Sequence, residues 1–298
     1  MKYCDPRYDV TFKKVFGNHP DLMLSFLNAL LPLKGDQVIE QLEYLSPEMI
    51  PEIPDAKFSV VDVQCKDKTG RKFLVEMQMV WSEEFKSRVL FNASKAYVSQ
   101  LQIGNGYKLL EPVYSLNIVN DIFESDLPRD EYYHYYRLVH EKHTDKVIDG
   151  LHIAFIELPK FRPHNTKEKK MLDLWLRFLT EINEKTKKVP VELLEDPLVS
   201  QAVMLMERAG MTEGERYAYE KNLDNVRIEQ AVMRESKEKG LAEGLAEGRA
   251  EGRAEGLAEG RAEGEAKVKR ETAQRMLSEG ISKEAILQMT GWTEEVFG

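Results

Sequence analysis

Asp62 and Glu76 stand in strand-like sequence on either side of a short basic turn, within Phe58-Ser-Val-Val-Asp-Val-Gln-Cys-Lys-Asp-Lys-Thr-Gly-Arg-Lys-Phe-Leu-Val-Glu-Met-Gln-Met79. Alternate residues of a strand face opposite sides of a sheet. The odd positions from Val61 to Met79 are apolar, with Ser59 as an early exception, and that face predicts core. The even positions carry Val60, Asp62 and Gln64 on one arm and Leu74, Glu76 and Gln78 on the other. If Lys68-Thr69-Gly70 is a three-residue loop with Gly70 in a left-handed position, paired residue numbers sum to 138, which sets Asp62 opposite Glu76. Facing side chains have Cβ atoms about 4.5–5.5 Å apart, and like charges there repel. Such a pair calls for a cation, a proton or open solvent. Mg²⁺ takes oxygen ligands, commonly one or two carboxylates with water and substrate phosphate completing the shell. Gln78, on the same face, is placed to orient a water or a phosphate oxygen. The plainer reading is the wet side of a half-exposed antiparallel sheet. Val60 and Leu74 beside the acids argue instead for a lined cleft.

These residues need a scaffold, and the flanking sequence predicts one of mixed α/β type. Asp5-Pro6 offers a helix start, followed by Val10, Phe12, Val15 and Phe16 and stopped at Gly17. A second helix runs from Asp21 to Pro32. Residues 38–45 predict a strand, 83–103 a helix ending at Gly104, 113–119 a buried strand, and 132–140 and 151–158 two more. From Thr166 onward helical periodicity dominates, with Leu172, Trp175, Leu176 and Leu179 on one stripe.

Composition narrows the classes. With 298 residues, 42% hydrophobic and 31% charged, the chain suits a globular protein with a sizeable core. No apolar run reaches the roughly 20 residues of a membrane span, and no secretory signal is evident, so no membrane role and a cytoplasmic setting are expected. Cys4 and Cys65 make neither a disulfide framework nor a zinc site, and the six histidines form no HxH or HExxH pattern. The net charge of −9 argues against strong nonspecific polyphosphate binding.

Near Gly240 the sequence becomes six tetrads, Leu-Ala-Glu-Gly or Arg-Ala-Glu-Gly, ending at Gly264. A helix would stack the glycines on one drifting stripe, and each would cost it about 1 kcal/mol relative to alanine. The glutamates would repel at i,i+4. Two readings stand: a helix that firms up on self-association, or a flexible spacer. The expected divisions are 1–165, 166–238, 239–266 and 267–298, the last a short helical hairpin about Gly280.

The Asp62-Val63 strand, the turn ending in Gly70-Arg71 and Glu76-Met77-Gln78 together resemble the PD-(D/E)xK nuclease motif of the recombination-promoting nuclease/transposase family. Asp9-Val-Thr-Phe-Lys-Lys-Val-Phe-Gly17, Ser25-Phe-Leu-Asn28, Lys95-Ala-Tyr-Val-Ser-Gln100 and Phe155-Ile-Glu-Leu-Pro-Lys-Phe161 are similar to the family in the same order. The likeness covers roughly residues 5–225. It implies an α/β, restriction-endonuclease-like core, a mixed sheet flanked by helices, followed by a helical region and a Gly/Glu-rich repeat tail. It also implies metal-dependent cleavage of DNA phosphodiesters in recombination or mobile-element movement. The metal set expected from the resemblance is Asp62, Glu76 and the carbonyl of Met77, with Mg²⁺ as the ion and Mn²⁺ as a substitute.

One departure stands out: Gln78 occupies the usual lysine position and cannot supply positive charge. Lys95 or Lys13 is expected to neutralise developing charge instead. Arg88 and Lys95 are seven apart on one helix face, and Tyr97 and Gln100 share another. Asp9 and Lys13 form an i,i+4 pair, with Asp9 aimed at the metal in a family-like arrangement. DNA contacts are expected from Lys66, Lys68, Arg71 and Lys72 and from 162–170. The rival expectation is a non-catalytic scaffold of nuclease fold that assembles homo-oligomers through the repeats or binds DNA.

Overall fold

The alternation of residues 61–79 is realised as a hairpin inside a mixed six-stranded sheet. The computed structural model describes residues 2–49, 59–101, 104–163 and 170–297. Met1–Gln230 form one compact unit and Ala231–Gly298 a second.

The first unit opens with α1 (Asp9–Phe12), continued by a π-helical turn at Lys13–Gly17, and α2 (Pro20–Leu30). Strands β1 (Leu42–Leu45), β2 (Glu48–Met49), β3 (Ser59–Val60), β4 (Val63–Asp67) and β5 (Lys72–Gln78) follow. Helix α3 (Glu83–Val98) then crosses to β6 (Val113–Val119), which runs parallel to β5. The long β7 (Tyr133–His140) and β8 (His143–Glu157) complete the sheet in the order β1-β4-β5-β6-β8-β7, while β2 and β3 pair separately. Next come α4 (Lys170–Glu181), α5 (Val191–Glu195) and α6 (Pro197–Leu205), the last capped by the Asp196 carboxylate on Leu198 and Val199 N–H.

The two faces of the sheet are covered differently. Val63, Cys65, Phe73, Val75 and Met77 point into the main core beneath α2, α4 and α6, where Phe16, Phe26, Trp175 and Phe178 meet at ring separations of 4.3–6.4 Å. Each such side chain stabilises the fold by roughly 1.5–3 kcal/mol on burial. The other face lies under α3, whose Phe85, Val89, Asn92, Ala93 and Ala96 are buried at helical spacing. The small Ala93 and Ala96 sit over Leu74 and Val113. The even face of the hairpin is therefore roofed over Leu74 and Glu76, while Val60 stays exposed, so the reading of it as a wholly wet surface is corrected in part.

Several boundaries differ from expectation: β1 begins at Leu42 rather than at 38, and β8 at His143 rather than at 151. Asp5 does not cap a helix at Pro6; its buried carboxylate takes the Arg7 guanidinium at 2.6 and 2.9 Å, and the helix begins at Asp9. Helix α3 ends at Val98 rather than at Ile103, which lies outside the described residues with Gln102. The motif segment around Asn28 is structural: its amide brackets the backbone of Ile39 at 2.8 and 2.9 Å and ties α2 to the chain entering β1.

Helix α7 covers Glu213–Ser278 and includes the tetrad repeats. Gly280, at φ +87°, ends it, with Ile281 N–H returning to Met276 O. Helix α8 (Lys283–Thr290) follows, capped by Ser282 on Ala285 N–H. Among the described residues no helix is long and apolar enough to cross a membrane. Cys4 and Cys65 are free and buried.

Candidate active site

The turn between β4 and β5 sets the register of the acidic pair. Gly70 adopts φ +95°, and its N–H donates to Asp67 O at 3.1 Å. The Asp67 carboxylate accepts from Thr69 N–H, the Thr69 hydroxyl, Arg71 N–H and the Arg71 guanidinium at 2.7–3.0 Å. Val63 then faces Val75, Gln64 faces Leu74, Cys65 faces Phe73 and Lys66 faces Lys72, all with numbers summing to 138. Asp62, one residue before β4, comes level with Glu76 as the turn chemistry predicts. Its Oδ2 accepts from Met77 N–H at 2.7 Å.

Both acids line a cleft of about 710 Å³ with Ser59, Val60, Met77, Gln78, Arg88, Phe91 and Asn92. Glu76 Oε1 accepts from Asn92 Nδ2 at 3.0 Å, and Oε2 pairs with Arg88 Nη2 at 3.3 Å. The same Arg88 nitrogen donates to Gln78 Oε1 at 2.8 Å, while Gln78 Nε2 donates to Val80 O at 2.7 Å. On the other side, Lys13 Nζ lies 3.8 Å from Asp62 Oδ1 and 2.6 Å from Asp9 Oδ1.

Burial pushes the Asp62 carboxyl up to about 7, with Asp9 and Glu76 adding to the rise and Met77 N–H and Lys13 opposing it. Burial likewise raises Glu76, against the Arg88 guanidinium and the Asn92 amide. Desolvation of the charged form thus outweighs the local donors.

Asp62, Glu76, Met77 and Gln78 are brought together, with Lys13 and Asp9 at their edge. Lys95 instead reaches the Met49 carbonyl at 2.5 Å. Seven helical residues span about 10 Å, so Arg88 and Lys95 share a face of α3 without sharing a neighbourhood. Tyr97 packs on Gly150, and the Gln100 amide brackets Glu111 at 2.8 and 3.0 Å, both structural contacts. The turn cations expected to meet DNA are engaged within the fold: Lys66 with Glu43, Lys68 with Glu40, Arg71 with Asp67, and Lys72 with Ala96 O and Ser99 Oγ. Of the second basic cluster, Arg162 donates to Pro159 O and Phe161 O, and residues 164–169 lie outside the described residues.

Of two further lining residues, Asn92 had no place in the sequence reading and Ser59 entered it only as an exception on the apolar face. The Asn92 Oδ1 and Ser59 Oγ atoms are buried with no hydrogen-bond partner among the described residues. Asn92 follows Arg88 by four residues, and a buried asparagine among the valines and alanines of a helix was the available signal.

Among the described residues no three His, Cys, Asp or Glu side chains are grouped to share a metal. Two facing carboxylates in a cleft also lined by Ser59 and Asn92 nonetheless suit a hard divalent cation that keeps several of its waters. Asp62 and Glu76, with the Met77 backbone between them, fit such an ion.

A family model described as PD-(D/E)XK nuclease family transposase matches residues 6–236. Neither the curated proteins nor the solved structures include a significant match.

Proposed function

The chain belongs to the PD-(D/E)XK nuclease family of transposases, and from that membership and the cleft geometry we propose that it is a divalent-cation-dependent DNA endonuclease acting in recombination or mobile-element movement. The observation that carries this reading is the Asp62–Glu76 pair, level across a hairpin and raised by burial inside one cleft.

Asp62 and Glu76, with the Met77 carbonyl, would hold Mg²⁺, or Mn²⁺ in its place. A bound ion supplies Lewis-acid activation of the scissile phosphate and of water. The chain's own residues do the rest. The Met77 N–H fixes the Asp62 carboxylate by one oxygen, leaving Oδ1 toward Lys13. Asn92 holds Glu76 from above. Gln78 is held at both ends of its amide, so it presents a fixed dipole to water or phosphate. Arg88 supplies the positive charge that Gln78 lacks: it touches Gln78 and Glu76 and is half-exposed, free to turn toward a phosphate. This gives Arg88 the part the sequence suggested for Lys95. Lys13 and Asp9 tune the charge at the Asp62 edge.

Plasmid nicking tests the reading. Full-length protein with Mg²⁺ is expected to nick supercoiled DNA, and EDTA or Asp62→Ala is expected to abolish it. Equal nicking by the variant would remove the enzyme reading for this cleft and leave a nuclease-fold scaffold. Self-association through the tetrads of α7 is a further part of the proposal, on the ground that their side chains are exposed along the helix. Sedimentation of a chain ending at Glu238 checks it, with an unchanged oligomeric state counting against it.

A further inference from the structure

Asn92 is 1% exposed, and its two amide atoms have opposite fates. Nδ2 donates to Glu76 Oε1 at 3.0 Å, whereas Oδ1 has no partner among the described residues. An ionised glutamate only accepts hydrogen bonds. Turning the amide over would set two acceptors against each other, so Glu76 fixes Oδ1 in its unpartnered position. A buried carbonyl oxygen left without a donor is costly to the fold. Such groups are rare in native proteins and each calls for an explanation, a catalytic or ion-binding role among them. Asn92 lines the same cleft as Asp62 and Glu76, as does Ser59, whose hydroxyl oxygen is also buried and unpartnered.

A coordination argument points the same way. Glu84 also lines the cleft, but no three described acids are grouped closely enough to share an ion, so neutral oxygens must complete the shell of any ion held there. The cleft lining includes two that are desolvated and have no hydrogen-bond partner among the described residues.

We propose that Asn92 is a metal-facing residue of this site, its Oδ1 contributing a neutral oxygen to the divalent cation's shell, directly or through one of the ion's waters, while its Nδ2 aims Glu76. The inference rests on the endonuclease reading and assigns a role to a residue outside the Asp-Glu-x-Gln motif.

The alternative role, a tether for Glu76 alone, predicts the opposite response to one isosteric change. Asn92→Asp keeps an oxygen at the Oδ1 position but loses the donor to Glu76. If Oδ1 faces the ion, a third carboxylate tightens Mn²⁺ binding to the full-length protein by about tenfold or more. If Asn92 only tethers Glu76, the variant repels it and weakens Mn²⁺ binding. Asn92→Ala removes both functions and is expected to weaken binding by about 10–100-fold, as loss of a supporting group at metal sites does. Mn²⁺ affinity is read by calorimetry and by the free-ion electron paramagnetic resonance signal, with circular dichroism confirming the fold of each variant.

Tighter binding by Asn92→Asp with weaker binding by Asn92→Ala supports the proposal. Unchanged or weaker binding by a folded Asn92→Asp overturns it while leaving the endonuclease reading intact, provided the wild type binds Mn²⁺ and Asp62→Ala does not. A wild type that binds no Mn²⁺ overturns both. Should Asn92→Asp not fold, Asn92→Ser, which retains a small neutral oxygen, carries the test: it is expected to bind Mn²⁺ more tightly than Asn92→Ala, and equal affinities would overturn the proposal.

Discussion

Two acidic sites are buried against the same sheet and treated in opposite ways. Glu157, at the end of β8, is fully buried and accepts from His134 Nε2 at 2.9 Å, Lys160 Nζ at 2.7 Å, Phe123 N–H at 2.6 Å and Glu124 N–H at 3.1 Å. Burial alone would raise its carboxyl, but the Lys160 ammonium, His134 and the two backbone N–H groups outweigh it and hold it below the usual range. Asp62 and Glu76 are also largely buried, yet their donors do not outweigh desolvation and both are raised. The difference is compensation rather than depth. A carboxylate whose lone pairs are all filled from within stitches the loop after β6 to β8; a pair left short of positive charge has room for something from outside.

The contrast has measurable consequences, and the largest concerns Glu157. Glu157→Ala leaves the buried Lys160 with the Glu124 carbonyl but no acidic partner, and breaking such a pair is expected to lower stability by about 3–5 kcal/mol. Urea unfolding would read this, and a loss under 1 kcal/mol would mean that the two acids do not differ as described.

Arg88→Ala comes next and acts on the other side of the comparison. It is expected to lower DNA cleavage by about 100-fold, the order seen when one group stabilising developing charge is removed. Because Arg88 is half-exposed, its ion pair contributes only about 0–1 kcal/mol to stability. Melting and nicking measured together separate the two effects.

The smallest effect is a pH slope of opposite sign at the two sites. Glu157, held low, contributes stability that is present above the ordinary carboxylate range and is lost as pH falls through its folded value. Asp62, raised to about 7, contributes stability that is fully present below about 4 and lost as pH rises toward 7. Metal-free Asp62→Asn is therefore expected to be more stable than wild type at pH 8 by about 1 kcal/mol, since the charge cannot form, with the gap closing near pH 4. Thermal melting in EDTA across that range checks it; a gap that widens toward acid would reverse the assignment.

How much of this was legible in the chain follows from the range of the interactions. The hairpin register was readable because it depends on four neighbouring residues, Asp67 to Gly70, whose turn chemistry is local. Strand β6 was readable because seven consecutive buried residues need no partner to be recognised. The roofing of the even face by α3 was not, since Gln64, Glu76 and Gln78 look alike whether water or a helix lies above them. Nor was the choice of Arg88 over Lys95, which depends on where along β5 the helix crosses. Arg88 and Asn92 meet Glu76, while the carbonyl of Ala96 and the hydroxyl of Ser99 meet Lys72. Asp5 misled because its local sequence suits a cap, whereas burial beside Arg7 makes an ion pair the stronger demand.

The central claim is that the uncompensated pair shares a cation. A crystal structure of the full-length protein with Mn²⁺, read by anomalous scattering, tests it most directly. One anomalous peak bridging the Asp62 and Glu76 carboxylates, with the Arg88 guanidinium displaced from Glu76, is the predicted result. No peak in the cleft at a Mn²⁺ concentration that supports nicking, or a peak bound elsewhere while Asp62 and Glu76 keep their present partners, would contradict it.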